Sequence, residues 1–297
     1  MTELNPRLNA YRPDLAAESL KGRVVATRFT AGRPAQVRCG VAALRRRPEA
    51  DAPQDTQLLS GEAITVYDQA EGWAWVQNRT DGYVGYVESS ALGTETVATT
   101  HSVKVPRSFL FPGPDLKLPP RDALTMTGRV AVVGVAGGYS EVVFGGQRGW
   151  VYSQHLAAQG EGEGEGEGGG VVEPDFVATA LQFLGVPYLW GGKASGGLDC
   201  SGLVQVALAR AGIPCPRDSD MQAKSLGVAV AWESAQTELQ RGDLIYFPGH
   251  CAIALDAERV VNANAHAMMV SVEPLAELAA RVKRESGGTG VTAVRRL

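Results

Sequence analysis

The fold of the C-terminal half is decided by residues 199–211, which read Asp-Cys-Ser-Gly-Leu-Val-Gln-Val-Ala-Leu-Ala-Arg-Ala. Leu203, Val206 and Ala207 recur at helical spacing and predict a helix that begins at Cys200. The preceding Asp suits the N-cap position of that helix. Cys200 then lies in the first turn, where backbone N–H groups and the helix dipole lower a thiol pKa. Two interpretations stay open at this point: a nucleophile, or a small buried cysteine in a capped helix.

The pattern around this helix is that of an α+β domain. An amphipathic segment at 175–184 predicts a helix before it. Strand-like runs follow it, at residues 243–247, 251–255, 260–261 and 268–272. Helices followed by an antiparallel meander are typical of the α+β order.

His250 gives the cysteine a chemical partner. It follows a strand and a Phe-Pro-Gly turn and opens the next strand, so it can face a helix start across a sheet. A Cys and a His far apart in the chain are the usual pair for nucleophilic catalysis. A structural capping role for His250 is the alternative.

The half of the chain before residue 160 has an all-β pattern with a weak internal repeat. Short strands separated by Gly turns carry Gly-Trp, Gly-Tyr-Val and Leu at 72–92 and a similar series at 138–156. This predicts two small barrels, with one irregular β sandwich as the alternative. We expect a short helix near residues 13–20. Residues 160–170 alternate Gly and Glu, and we interpret them as a linker.

Composition excludes several classes of protein. The 297 residues carry a net charge of −4, without the basic surface that nucleic-acid binders need. No apolar run is long enough to span a bilayer, and no secretory signal is visible at the N-terminus. The four cysteines form neither a metal-binding pair nor a disulfide framework. We therefore expect a cytoplasmic protein with reduced thiols and no metal, cofactor, nucleic-acid or membrane partner.

Five motifs in one order resemble the NlpC-type cysteine peptidases, papain-like endopeptidases of bacterial cell-wall peptides. They lie at residues 185–192, 198–203, 216–222, 241–247 and 250–255. The resemblance implies an α+β papain-like catalytic domain preceded by two small all-β Src-homology-3-like barrels. The domains that we expect are an arm at 1–37, barrels at 38–95 and 96–158, a linker at 159–171 and a peptidase domain at 172–297.

The same resemblance implies roles for the catalytic residues. Cys200 is the nucleophile, His250 the general base and acid, and Tyr188 helps to stabilise the oxyanion. The family usually has a second His twelve residues after the first, but this chain has Asn262 there. An Asn oxygen can orient an imidazole, as in Cys-His-Asn enzymes, although it brings no charge. We prefer Asn262 to His266 as the third residue and expect weakened activity.

Without a signal peptide and with two leading barrels, the chain is similar to the murein-recycling branch of the family. That likeness implies cleavage of the γ-D-glutamyl–diamino acid bond of free murein tri- or tetrapeptides with an unblocked L-Ala. The residues expected to receive the amine are Asp199, Ser201, Ser219, Asp55 and Tyr83, with Glu62 as an alternative to Asp55. Two other functions stay open: an inactive protein that binds wall peptides, and a broader cell-wall hydrolase.

Overall fold

The structure is a computed structural model that describes residues 4–159, 173–232 and 238–297. The chain divides into two compact units, Met1–Val171 and Val172–Leu297. The predicted linker lies outside the described residues, except for Gln159.

The first unit is built from β-strands and single 3-10 turns. Its strands are β1 (Leu15–Ala17), β2 (Arg28–Thr30), β3 (Arg33–Val37), β4 (Val41–Arg45), β5 (Gln54–Leu59), β6 (Ala63–Ala70), β7 (Trp73–Asn78), β8 (Val84–Glu88), β9 (Leu92–Gly93), β10 (His101–Val103), β11 (Arg107–Leu110), β12 (Asp122–Thr125), β13 (Arg129–Ala136), β14 (Tyr139–Phe144), β15 (Gln147–Tyr152) and β16 (Leu156–Ala158).

Two barrel-like sheets confirm the predicted pair of small β domains. The first has the strand order β5-β4-β8-β7-β6-β3-β9, and the second has β15-β14-β13-β10-β16. The internal repeat is visible in the chain path. In each barrel two hairpins lead to a 3-10 turn, Ser89–Ala91 or Ser153–His155, and then to the closing strand. Each barrel encloses its own apolar core.

The two barrels contact each other through backbone. A side chain added at Gly93 would meet the carbonyl oxygen of Gly145 at 2.0 Å, so this contact requires glycine. Gln36 accepts a hydrogen bond from the Gly145 N–H at 2.8 Å. The Gly40 N–H donates to Asp122 of the second barrel at 2.7 Å. The barrels therefore form one packed unit.

The N-terminal segment differs from the sequence-based expectation. Residues 15–17 form β1, which pairs in parallel with β2, and only Glu18–Leu20 form a 3-10 turn. A helix this short is marginal by itself, and strand pairing that buries residues 15–17 replaces it. Residues 33–37, which we expected in the arm, are a strand of the first barrel.

The second unit has four helices among its described residues. They are α1 (Phe176–Leu181), α2 (Cys200–Arg210), α3 (Ser219–Ser225) and α4 (Leu275–Glu285). Its strands are β17 (Lys193–Ala194), β18 (Gly197–Leu198), β19 (Val228–Val230), β20 (Leu244–Phe247), β21 (His250–Ala254), β22 (Arg259–Asn264), β23 (Met269–Pro274) and β24 (Ala293–Arg296). None of the helices described in either unit is long and apolar enough to cross a membrane.

A six-stranded antiparallel sheet, β19-β24-β20-β21-β22-β23, separates two helical layers. Ala252 and Ala254 of β21 join the apolar core beneath α4. Because side chains alternate along a strand, Cys251 and Ile253 point to the opposite face, where α2 contacts β21 and β22. The sheet thus brings one face of β21 to the helix that begins at Cys200.

Candidate active site

The start of α2 is held by its N-cap, as the sequence predicts. Asp199 Oδ1 accepts a hydrogen bond from the Gly202 N–H at 2.7 Å, and Oδ2 accepts from the Gly191 N–H at 2.8 Å. A side chain at Gly202 would collide with the Gly192 carbonyl oxygen at 2.1 Å, so the preceding loop packs directly on the first turn. Cys200 is the first helical residue, and 7% of it is exposed.

The β20–β21 hairpin brings His250 to this cysteine. His250 is the first residue of β21 and pairs with Phe247 across the turn. Its ring forms a side-chain hydrogen bond with Cys200. Two residues that lie 50 positions apart in the chain therefore form one acid–base pair.

Asn262 lies on the other side of the imidazole. Its Oδ1 is 3.2 Å from His250 Nε2. An amide oxygen accepts and does not donate, so Nε2 carries a proton and Nδ1 is left to face Cys200. His266 lies in the exposed turn 265–268 between β22 and β23. The structure thus places Asn262, the residue twelve positions after His250, beside the imidazole, and its orienting role stays a prediction.

A partly buried ion pair lies behind Asn262. Asn262 Nδ2 donates to Glu273 Oε1 at 2.9 Å, and Arg281 Nη1 is 2.7 Å from Glu273 Oε2. Because Nδ2 is engaged in this way, the amide oxygen must face His250. Sequence reasoning missed Glu273 and Arg281, whose positions follow from the β22–β23 register and from α4.

Cys200 and His250 shift each other's pKa. A hydrogen bond from the Cys251 thiol, with the hydrogen bond and charge of His250, holds the pKa of Cys200 well below its ordinary value despite burial. Burial alone would lower the pKa of His250, but the hydrogen bond and charge of Cys200 raise it, with help from Asn262 and Glu273. The site therefore favours a thiolate beside an imidazolium.

Arg217 is a third residue that sequence reasoning missed. It is 1% exposed, and its guanidinium donates two hydrogen bonds to Asp199, from Nη1 to Oδ1 at 3.0 Å and from Nη2 to Oδ2 at 2.7 Å. It also donates to Ser201 Oγ at 2.9 Å. Ser219 is half-buried at the start of α3, two residues further along. Both oxygens of Asp199 thus already accept several hydrogen bonds, and its part in amine recognition stays a prediction.

Tyr188 is half-buried near the nucleophile. Its backbone N–H donates to the Met268 carbonyl at 2.9 Å. Burial, followed by the negative charges of Cys200 and Asp199, raises the pKa of its phenol. The hydroxyl therefore keeps its proton and can act as a hydrogen-bond donor in the site.

The amine-binding residues predicted in the first barrel belong to the other unit. Asp55 lies on β5, with its Oδ1 2.6 Å from Arg46 Nη2. Tyr83 is buried in the core of the first barrel. Glu62, the alternative to Asp55, is buried and accepts from the Leu59 N–H at 2.9 Å. That contact makes Glu62 a turn-stabilising residue, and the parts of Asp55 and Tyr83 stay predictions.

Comparisons with known families find a matching segment in each half of the chain. Residues 44–92 match the bacterial dipeptidyl-peptidase Sh3 domain, and residues 185–282 match the NlpC/P60 family. The sequence is 30% identical over 202 residues to the gamma-D-glutamyl-L-lysine dipeptidyl-peptidase of Bacillus subtilis, covering 65% of this chain and 63% of that protein. It is also 38% identical over 101 residues to dipeptidyl-peptidase 6 of Lysinibacillus sphaericus, about a third of each chain.

A solved structure agrees in fold. An NlpC/P60 family protein from Bacillus cereus superposes with a TM-score of 0.70 at 21% identity, covering 89% of this chain and 99% of that one. This likeness supports the fold alone, because the identity is low. The chain spans a little under two thirds of the length of the Bacillus dipeptidyl-peptidases that it matches.

Proposed function

Because residues 185–282 belong to the NlpC/P60 family, we propose that this protein is a cysteine peptidase that cuts the γ-D-glutamyl–diamino acid bond of free murein peptides. The observation that carries the proposal is the continuous line of contacts Cys200–His250–Asn262 at the start of a buried helix. The names of the Bacillus relatives supply the bond, since they describe γ-D-glutamyl-L-lysine peptidases.

The reaction follows from the positions of these groups. The Cys200 thiolate attacks the γ-carbonyl carbon of D-Glu. The resulting oxyanion receives hydrogen bonds from the backbone N–H at the helix start and from the Tyr188 hydroxyl. The His250 imidazolium then gives its proton to the amine of the departing diamino acid, leaving a thioester on Cys200.

The second half of the reaction reverses the role of the imidazole. Neutral His250 takes a proton from a water molecule, which attacks the thioester and releases the γ-glutamyl peptide. Asn262 holds the ring through both steps. Glu273 places a negative charge behind Asn262, so the Asn does not leave the imidazolium without electrostatic support. This arrangement favours an active enzyme over an inactive peptide-binding protein.

We further propose that the substrate carries a free N-terminal L-Ala. The residues that would receive its ammonium are Asp199, Ser201 and Ser219 beside the nucleophile. An ammonium offers three donors, which suit carboxylate and hydroxyl acceptors. This specificity would suit an enzyme of murein recycling in the cytoplasm.

The test compares L-Ala-γ-D-Glu-diaminopimelate with its N-acetylated form, using mass spectrometry of the products. Acetylation removes the positive charge and two of the three N–H donors of the amine, and a hydrogen bond to a charged group is worth about 1.5–3 kcal/mol. We expect kcat/KM to fall by about a hundredfold or more on acetylation, at 1.4 kcal/mol per tenfold. Cys200→Ser should abolish both reactions.

Ser219→Ala should narrow the difference in kcat/KM between the two peptides, whereas Asp51→Ala, at an exposed position in the first unit, should leave that difference unchanged. Equal cleavage of both peptides by the unaltered protein would mean that the amine is not recognised. The protein would then be a broader cell-wall hydrolase.

A further inference from the structure

The proposed mechanism leaves one buried thiol beside the nucleophile unused. Cys251 follows His250 on β21 and is fully buried, and its side chain interacts with that of Cys200. Both cysteines are free. Packing alone does not require a buried cysteine to lie beside a reactive one. Two free thiols side by side can instead form a disulfide.

The surrounding contacts fix the position of Cys251 independently. Gln222 Nε2 donates to the Ser201 carbonyl oxygen at 3.0 Å, which ties Gln222 to the first turn of α2. The Cys251 thiol reaches Gln222 Oε1 at 4.0 Å. Strand alternation also turns Cys251 toward α2, because Ala252 packs on the opposite face. The thiol is thus held at the helix start that carries Cys200.

We propose that Cys251 is a resolving cysteine, which closes a reversible disulfide with Cys200 after a hydroperoxide has oxidised the nucleophile. The disulfide would switch hydrolysis off and protect Cys200 from irreversible oxidation. The inference rests on the proposed function in one respect, namely that Cys200 is the reactive thiol of the site.

The chemistry balances with hydrogen peroxide as the oxidant. The Cys200 thiolate attacks one peroxide oxygen, the O–O bond breaks, and the departing hydroxide takes the proton of the His250 imidazolium to become water. Cys200 is then a sulfenic acid. The Cys251 sulfur attacks the Cys200 sulfur, the S–O bond breaks, and the Cys251 proton goes to the departing hydroxide. Two thiols and one peroxide thereby give one disulfide and two waters.

The state of Cys200 makes it the first thiol to react. Low pKa and thiolate character determine which cysteine a peroxide oxidises. Cys251 has the opposite character, since burial and then the neighbouring Cys200 raise its pKa. One thiol is therefore primed for oxidation, and the other stays reduced in contact with it. Without a resolving thiol, a second peroxide would carry Cys200 on to the irreversible sulfinic acid.

The test exposes the full-length protein to hydrogen peroxide without thiols, stops the reaction with catalase, and then adds dithiothreitol. The variants are Cys251→Ser, with Cys215→Ser and Cys39→Ser as matched controls. Two readouts are normalised to the untreated sample of each variant: peptide hydrolysis, and alkylation of Cys200 by iodoacetamide. Alkylation does not depend on the substrate, so a failure of the proposed function would leave this readout intact.

In the unaltered protein and both controls, we expect the mass of the oxidised protein to be lower by two hydrogen atoms. A digest made without reductant should contain a disulfide-linked peptide pair that joins Cys200 to Cys251, and dithiothreitol should separate it. Dithiothreitol should restore nearly all alkylation. In Cys251→Ser, Cys200 should gain two oxygen atoms, and about a tenth or less of the alkylation should return. Cys251→Ala is a second variant in case the first does not fold.

Three outcomes would overturn the proposal. One is equal recovery of Cys251→Ser and the unaltered protein. Another is a disulfide that joins Cys200 to Cys215. The third is sulfinic acid formation on Cys200 at the same rate whether or not Cys251 is present.

Discussion

Glu273→Gln is the substitution that tests the electrostatic design of the site most directly. Burial would raise the pKa of Glu273, but Arg281 and Asn262 hold it below its ordinary value, so the carboxylate is charged. Gln keeps an oxygen that can accept from Asn262 Nδ2 and removes only the charge. The orientation of Asn262 and His250 is therefore retained, and the electrostatic contribution is isolated.

The size of the effect follows from the contact distances. Hydrogen bonds of 3.2 and 2.9 Å and the width of one amide put the Glu273 carboxylate about 8 Å from His250 Nε2. At an effective dielectric constant of about 20, a unit charge there contributes about 2 kcal/mol. The Arg281 guanidinium lies beyond the Glu273 carboxylate, at 2.7 Å from it, and is therefore further from His250 Nε2. It opposes the carboxylate by about 1.5 kcal/mol.

The direction in which the His250 pKa shifts follows from the positive charge of its imidazolium. A negative charge stabilises protonated His250, so its removal lowers the His250 pKa. The proton donor to the leaving amine is then lost at lower pH. We expect the basic limb of the kcat/KM profile to move down by about 1.5 pH units in Glu273→Gln, since 1.36 kcal/mol corresponds to one unit.

Arg281→Gln should move the same limb upward, and the double variant should lie within about half a unit of the unaltered protein. Glu277→Gln, an exposed substitution on α4, is the control and should not move it. The measurements are the pH profile with the tripeptide and the pH dependence of Cys200 alkylation. A basic limb that stays in place in Glu273→Gln, or moves in the same direction in Arg281→Gln, would refute the reasoning.

Three other substitutions test separate parts of the site. Cys200→Ser should abolish peptide cleavage with thermal unfolding nearly unchanged, and wild-type turnover in this variant would rule out Cys200 as the nucleophile. Asn262→His should retain or raise activity, since an imidazole nitrogen can replace the amide oxygen, whereas His266→Ala should have no effect on turnover; the reverse pattern would show that His266 is the orienting residue. Arg217→Met leaves Asp199 buried without its cation and should lower the free energy of unfolding of the second unit by about 3–5 kcal/mol. As the control, Arg241→Met removes a half-exposed partner of Asp175 and should lower the free energy of unfolding by less than about 1 kcal/mol. Calorimetric unfolding of both variants measures the difference.

Much of the architecture could be predicted from local pattern. The spacing of apolar residues after Asp199 predicted a helix that begins at Cys200, and α2 begins there with Asp199 as its N-cap. The repeat of Gly-aromatic-Val strands predicted two barrels, which the sheets confirm. The prediction of a helix near residues 13–20 was wrong, because pairing with β2 decided the conformation of that segment. Local preference is weak where a segment is short and tertiary pairing is available.

The sequence by itself determined the identity of the chemical groups: a cysteine at a helix start, a histidine at a strand start, and an Asn twelve residues further on. It determined these because capping and hydrophobic periodicity depend on neighbours in the chain. Only the tertiary structure decided that Glu273 and Arg281 lie behind Asn262, that Arg217 neutralises Asp199, and that Cys251 contacts Cys200. Those contacts depend on the register of β22 against β23, on which face of β21 turns toward α2, and on how α3 and α4 pack. A shift of one residue in strand register would turn every side chain of that strand to the opposite face.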